Sequence, residues 1–464
     1  MCAEKVRNLV RETCTKTRLL AFEILLRVER DKAYAERLLT TAFKRHNFHA
    51  QDKAFATELV YGTIRKQRYL DFLIDTTAHK KSQKFPLRLR VCLRLGIYQL
   101  VYMRVAEHSA VHESVLIAKK YAAWATGLVN AILRRIASLK TTNDLPQPKE
   151  HLKDAIEAWA IYYNQPTFLV EQLLNELGQE TTMAWLEKNS LPAPLWLSVN
   201  SNKTTRQQLY EIFIDEERQC TLPELFPDAL VLSLQGDVCG IPGFDDGLFW
   251  IQDGAAQLVS RLLGAQPGDQ VLDVCAAPGG KSLSIANRIQ PQGCVVACDI
   301  HLHRMEMLEQ NITRMSISNI KTLVCDATNR QTLSNALKNV GVELFDKVVV
   351  DAPCTGLGTT RRHPELVKTK LEDVRRLVQL QWQILTTAAT FVKPGGILLY
   401  AVCTPVAAEG HLLAQEFLAQ HKHFVRDTML DQDFAAFGCQ NGELRLWTHQ
   451  HDTDSFYACR LRRT

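Results

Sequence analysis

No run of roughly 18 apolar residues occurs anywhere in the 464 residues of this chain, so no segment reads as a bilayer-spanning helix. The N-terminal MCAEKVRNLVRE is charged throughout and lacks the apolar core of a secretory signal. The 13 cysteines include no CxxC pair and follow no small-domain framework, which predicts reduced thiols and a cytoplasmic protein. Two nucleotide motifs are also missing. G-x-G-x-x-G does not occur. A phosphate loop, G-x-x-x-x-G-K-[ST], shares its ending with Gly280-Lys281-Ser282, but its first glycine would fall where Cys275 stands. A residue with a Cβ cannot turn as freely as that glycine must, and Pro278 removes a backbone N–H that a phosphate nest would need.

The small net charge of +5 conceals an asymmetry. Residues 1–140 hold 27 Lys+Arg against 12 Asp+Glu, whereas the rest holds 28 against 38. A basic module on an acidic body suggests that one part meets a polyanion while the other does chemistry.

Residues 1–140 read as helical. Leu87, Val91, Leu95, Tyr98 and Tyr102 recur at three- and four-residue steps, as do Leu128, Ile132, Ile136 and Leu139. Arg88, Arg90, Arg94, Arg134 and Arg135 fall on other faces of the same helices. Pro146 and Pro148 predict a linker in TTNDLPQPK. Residues 141–250 then read as that linker and a small α+β, RRM-like subdomain: a helical stretch to about Asn189, a strand at 194–200, a helix at 204–213 and a strand at 229–234. From about residue 251 to 464 the rhythm is strand, helix, strand, helix. Strands are expected at 270–276, 294–300, 321–327, 347–353 and 396–403, each apolar on both faces as buried parallel strands are. Leu444–His449 and Ser455–Arg462 suggest a final antiparallel hairpin. The pattern predicts a doubly wound, Rossmann-like α/β sheet with its site at the carboxyl ends of the strands.

Those ends carry Asp273, Asp299, Asp326 and Asp351. Four carboxylates in one crevice would repel a triphosphate without metals, and no metal is expected. They suit a cofactor with ribose, adenine and a positive charge, a description that S-adenosyl-L-methionine fits. Asp299 lies where an acidic residue meets ribose hydroxyls in such sheets, and Asp326 where one could accept from an adenine amino group. Cys354 and Cys403 also sit at strand ends, beside that methyl donor. A thiolate adding to carbon 6 of a pyrimidine makes carbon 5 nucleophilic enough to take a methyl group, and an acid near N3, such as Asp351, favours the adduct. The base must be unpaired or flipped from its stack. Spacing alone does not choose between the two thiols. Arg361, Arg362 and His363, in the loop after the fourth strand, are candidates for binding RNA.

VLDVCAAPGGKS (271–282), QDGAAQ (252–257) and DAPCTGLGTTRRHPE (351–365) resemble the bacterial RsmB (Sun, Fmu) family of ribosomal RNA cytosine-5 methyltransferases. ATELVYGTIRK (56–66), LRLGIYQL (93–100) and GLVNAILRRI (127–136) resemble the NusB-like RNA-binding domain fused to them. The resemblance implies a class I methyltransferase fold, a cytosine at position 967 of 16S rRNA as target, and donor contacts from Cys275, Ala276, Ala277, Pro278, Gly279, Gly280, Lys281, Asp299, Asp326 and Asp351. It implies Cys403 as nucleophile and Cys354 as the thiol that assists release. A cytoplasmic monomer acting on RNA, without metal or membrane, is the expectation. The chain departs from the family at the nucleophile motif, where Val402 stands for a hydroxyl residue in Tyr400-Ala401-Val402-Cys403-Thr404. Two alternatives stay open: a cytosine-5 methyltransferase for tRNA or another RNA, and a non-catalytic RNA-binding or assembly factor that kept the fold.

Overall fold

The computed structural model describes residues 2–233 and 240–464, with residues 2–15 as backbone only. They form two compact units, Met1–Ser190 with Thr360–Lys368, and Leu191–Thr359 with Thr369–Thr464. The division falls inside the 141–250 stretch, so its helices up to Asn189 belong to the first unit, and its strands, with the helix Arg206–Asp215, to the second.

The first unit is helical, and Leu87–Tyr102 is the helix the others cover. Every residue from Val91 to Leu100 is buried. A helix enclosed on all sides offers no route to water, and Arg94 is therefore only 4% exposed rather than on an outer face. Its guanidinium takes both Asp71 oxygens at 2.6 Å each and Glu29 Oε1 at 3.0 Å. This is the bidentate geometry that makes a buried arginine tolerable. Arg90 is half-buried, while Arg88, Arg134 and Arg135 are exposed as expected. In helix Thr126–Thr141 the buried stripe is Val129, Ile132, Leu133 and Ile136, and Leu128 and Leu139 flank it half-buried. Pro148 opens the short helix Pro148–His151 at a first-turn position, where its missing N–H costs nothing.

The second unit holds two sheets. The smaller contains β1 (Leu195–Val199), β2 (Cys220–Thr221), β3 (Ala229–Leu232) and β4 (Phe249–Ile251), antiparallel in the order β2-β3-β1-β4. Leu234, the end of the third of these as read from sequence, lies outside the described residues. Asn200 ties this sheet to its neighbour, donating from Nδ2 to the carbonyls of Gly247 at 2.9 Å and Met315 at 3.0 Å.

The larger sheet comprises β5 (Gln270–Asp273), β6 (Cys294–Asp299), β7 (Ile320–Val324), β8 (Phe345–Asp351), β9 (Val392–Val402), β10 (Phe424–Arg426), β11 (Glu443–Leu446) and β12 (Phe456–Arg463). The order is β10-β12-β9-β8-β5-β6-β7, with β11 also on β12. Strands β5 to β9 are parallel, and β12 runs antiparallel to β9. The expected hairpin is present as β11 and β12. The apolar runs divide by alternation. Val271, Val295, Val349, Leu399 and Ala401 enter one core, and Leu272, Val296, Val348, Val350, Leu398, Tyr400 and Val402 the other. The order in which successive strands are added reverses between β5 and β8, so the crevice opens at the carboxyl ends of β5, β6, β8 and β9.

Removing one partner of a buried ion pair strands the other. Arg94→Ala should lower stability by about 3–5 kcal/mol in urea unfolding, whereas Arg134→Ala, on an exposed side chain, should change it by less than about 0.5 kcal/mol.

Candidate active site

Strand β5 stops at Asp273, and the chain then runs through residues 274–279 before the helix Gly280–Ile289 begins. The loop is fastened to β6. The Ala276 amide donates to the Cys298 carbonyl at 2.8 Å, and the Ala277 amide to Asp299 Oδ2 at 3.2 Å. Arg304, one turn into the next helix, donates to the Ala277 carbonyl at 2.6 Å. Gly279 has φ 109°, and a Cβ there would lie 2.2 Å from Leu308 Cδ1. Glycine is therefore required at 279, on both backbone and packing grounds. Gly280 is different, since a Cβ would meet Gln252 at an ordinary 3.5 Å. The Cys275 thiol is pushed well up by burial and by Asp273, Asp299 and Asp351, so it stays protonated.

The helix that starts at Gly280 aims its first two polar side chains at strand ends. Ser282 Oγ donates to Asp273 Oδ2 at 2.7 Å, and Lys281 Nζ to Asp351 Oδ2 at 2.7 Å. Burial works against the Lys281 charge, but Asp351, then Cys403 and Asp273, hold its pKa above the ordinary value. Asp273 is fully buried, and burial raises its carboxyl to about 7. Its Oδ1 has no hydrogen-bond partner. A buried acceptor lacking a donor, in a crevice walled by carboxylates, fits a ligand that brings N–H groups and positive charge. That matches the methionine-bearing nucleoside expected from the sequence. Asp299 is buried, and its Oδ1 accepts from the His301 amide at 2.9 Å. Asp326 lies two residues beyond β7, and its Oδ1 accepts from the amide and hydroxyl of Thr328.

Cys354 and Cys403 meet at the ends of β8 and β9. Both are free, and their Sγ atoms are 3.4 Å apart. The hydrogen bond to Cys403 and then burial drive the Cys354 thiol well above its ordinary value. The Cys354 thiol therefore stays protonated. Gly358 braces the same corner. Its amide donates to the Cys403 carbonyl at 3.1 Å, and its carbonyl accepts from the Ser455 amide at 3.0 Å. Val402 is buried in the core on the sheet face opposite Ala401, in the cluster that Cys354 also packs against.

The structure thus brings Asp273, Lys281, Asp351, Cys354 and Cys403 together, with Cys275–Gly280 and Asp299 alongside. The three basic residues of the following loop fall elsewhere. Thr360–Lys368 belongs to the helical unit, where Ala35 N donates to Glu365 Oε1 at 3.3 Å and Lys368 Nζ to Glu29 Oε1 at 2.6 Å. Arg361 is 3% exposed, and its carbonyl accepts from Arg65 at 3.3 Å. Arg362 and His363 are half-buried. A solvated loop tip is not what this segment forms. Sequence reasoning missed Arg304, Gly358 and Glu409. The only hint of the last was a lone carboxylate in the apolar run Val406–Gly410. Among the described residues no group of three or more His, Cys, Asp or Glu side chains is placed to hold a metal ion, and no helix is long and apolar enough to cross a membrane.

Known proteins share this organisation. Residues 260–462 match the family model of the 16S rRNA methyltransferase RsmB/F, residues 15–138 that of the NusB family, and residues 165–239 that of an RsmF/B-like methyltransferase ferredoxin-like domain. The chain is 31% identical over 456 residues to a probable ribosomal RNA small subunit methyltransferase B of Bacillus subtilis, covering 97% of this chain and 99% of the relative. It is 33% identical over 479 residues to the ribosomal RNA small subunit methyltransferase B of Pasteurella multocida, covering 99% and 98%. The crystal structure of PH0851 superposes with a TM-score of 0.79 at 25% identity, covering 96% of this chain and 98% of that one.

A Cβ at position 358 would lie 2.0 Å from the Ser455 carbonyl oxygen and 2.9 Å from that of Cys403, both backbone atoms. Gly358→Ala should cost about 1–3 kcal/mol and lower the melting temperature in calorimetry. Gly127→Ala, where the new methyl meets nothing within 4 Å in a helix, should not lower it.

Proposed function

The chain belongs to the 16S rRNA methyltransferase RsmB/F family, and from that premise we propose that it transfers a methyl group from S-adenosyl-L-methionine to carbon 5 of a cytosine in 16S rRNA, at position 967. The observation that carries this reading is the pair of free thiols whose sulfur atoms lie 3.4 Å apart at the ends of neighbouring strands. A site with one attacking sulfur and one hydrogen-bond donor beside it suits addition followed by release.

In this reading Cys403 forms the S–C6 bond, and carbon 5 takes the methyl group. A base, with water reaching the crevice sufficing, then takes the carbon 5 proton, the C5–C6 double bond re-forms, and the S–C6 electron pair leaves on the Cys403 sulfur. The neutral Cys354 thiol donates to the departing sulfur, which stabilises that sulfur as a thiolate. Asp351, held by Lys281, positions the base at its N3 edge. When bound, S-adenosylmethionine supplies a methyl group on a positively charged sulfur. The residues that would hold it are Cys275–Lys281, with Asp299 at the ribose, Asp326 at the adenine and Asp273 and Asp351 as neighbouring negative charge. Residues 1–140 serve as the RNA-binding module, 141–250 as linker and α+β subdomain, and 251–464 as the catalytic domain. Exposed Arg88, Arg134 and Arg135 supply phosphate contacts, joined by Arg362 and His363. Arg361, being enclosed, holds its segment in shape and does not grip phosphate directly.

Incubation with labelled donor and unmodified 16S rRNA, followed by mapping of 5-methylcytosine, should locate one modified cytosine. Absence of transfer to any RNA while the donor still binds would overturn the proposal. Cys403→Ala should abolish transfer and adduct together, whereas Cys354→Ala should let a covalent RNA adduct accumulate.

The Asp273 carboxyl, raised to about 7, also predicts a pH dependence. A cationic ligand binds the ionised carboxylate more tightly than the neutral acid. Below about pH 7 binding must expel a proton, and above it the carboxylate is already charged. The Kd for S-adenosylmethionine should therefore fall as pH rises from about 6 to about 8, and Asp273→Asn should flatten that slope in calorimetric titration.

A further inference from the structure

We infer that Glu409 is the positioning residue of the thiol pair: its carboxylate fastens the segment carrying Cys354 to the segment carrying Cys403 and sets the sulfur–sulfur spacing that methyl transfer uses. This deepens the proposed methyltransferase reading and rests on it.

Glu409 is completely buried and lies six residues beyond Cys403, before the helix His411–Gln420. One oxygen, Oε1, accepts from the Thr355 amide at 2.9 Å and from Gln381 Nε2 at 3.0 Å. The other, Oε2, accepts from the Thr355 hydroxyl at 2.6 Å. Thr355 follows Cys354 directly. Its hydroxyl oxygen is also 2.9 Å from the hydroxyl of Thr404, which follows Cys403 directly. Thr404 Oγ1 accepts in turn from the Val406 amide at 3.2 Å. Gln381 Nε2 reaches the Pro353 carbonyl at 3.0 Å as well, so it grips the residue preceding Cys354.

Proton counting fixes the direction of this chain. The Thr355 hydroxyl has one hydrogen and gives it to Glu409, so Thr404 must donate to Thr355. All three of these contacts to the carboxylate are then donors, as suits an ionised acid. Burial raises the Glu409 pKa, while its bonds from Thr355 and Gln381 act in the opposite direction. Charge-assisted bonds of this kind are stronger and more directional than neutral ones. The effect on the thiols runs through one peptide bond on each side, from Thr355 to Cys354 and from Thr404 to Cys403. The arrangement explains why a charge sits in a wall where an apolar residue would pack as well.

The test compares Glu409→Gln with the parent chain in single-turnover methyl transfer, with calorimetric unfolding and S-adenosylmethionine titration on the same preparations. Gln presents an N–H2 to donors that need an acceptor, so kcat should fall about 100-fold while the KM for S-adenosylmethionine stays unchanged. Thr404→Val and Thr404→Ser form a second pair, informative even if Glu409→Gln does not fold. Val deletes the hydroxyl and should slow transfer, whereas Ser keeps it and should restore the parent rate. Parent-like kcat in folded Glu409→Gln, or equal rates for Thr404→Val and Thr404→Ser, would overturn the inference. Cys403→Ala, measured alongside, separates the two layers. If it retains transfer, the thiol reading itself fails; if it is inactive while the Glu409 and Thr404 variants are unaffected, only the positioning role fails.

Discussion

Two sulfur atoms 3.4 Å apart at the ends of neighbouring parallel strands are the constraint around which the catalytic unit is organised. Parallel pairing of β8 with β9 brings Asp351 opposite Ala401, so the residues beyond the two strands, 352–355 and 403–404, leave the sheet side by side. Each leaving segment would drift without cross-links, because neither is part of a helix or strand. Gly358 supplies one link through the Cys403 carbonyl, and the Thr355–Thr404–Glu409 chain another. The same closeness, with burial, pushes the Cys354 thiol well above its ordinary value.

The charges sort by task. Carboxylates gather at the strand ends, and each finds a different solution to burial. Asp351 takes a lysine, Asp299 takes backbone amides, and Asp273 takes one serine and keeps an oxygen without a partner. The last arrangement is costly in isolation and makes sense where a cationic ligand completes it. In the helical unit the basic excess is only partly available to a polyanion. Arg94 is consumed inside by Asp71 and Glu29, and Lys368 shares Glu29 with it. The exposed arginines on the outer helices remain for long-range attraction.

Much of this was legible in the sequence because it is local. An apolar run ended by an aspartate announced β5, β6 and β8 together with the residues at their tips, and the mismatch at Cys275 excluded a phosphate loop. Asp326 was read as a strand end, yet the strand stops two residues earlier and Asp326 caps a turn instead. What periodicity could not reveal depends on contacts between distant segments. The burial of Arg94 requires knowing that its helix is covered on all sides. Lys281 and Asp351 are 70 residues apart, and Thr355 and Glu409 are 54 apart. The departure at Val402 looked like damage to the nucleophile motif and proved to be core packing, because consecutive residues of a strand face opposite sides of the sheet.

The central claim is that Cys403 attacks the base and Cys354 does not. Substrate RNA carrying 5-fluorocytosine at the target position, where no proton can leave carbon 5, should hold the enzyme as a covalent complex in the presence of S-adenosylmethionine. Peptide mapping of that complex by mass spectrometry should find the nucleotide on the peptide containing Cys403. A nucleotide on Cys354, or no covalent complex with a methylated product still formed, would contradict it.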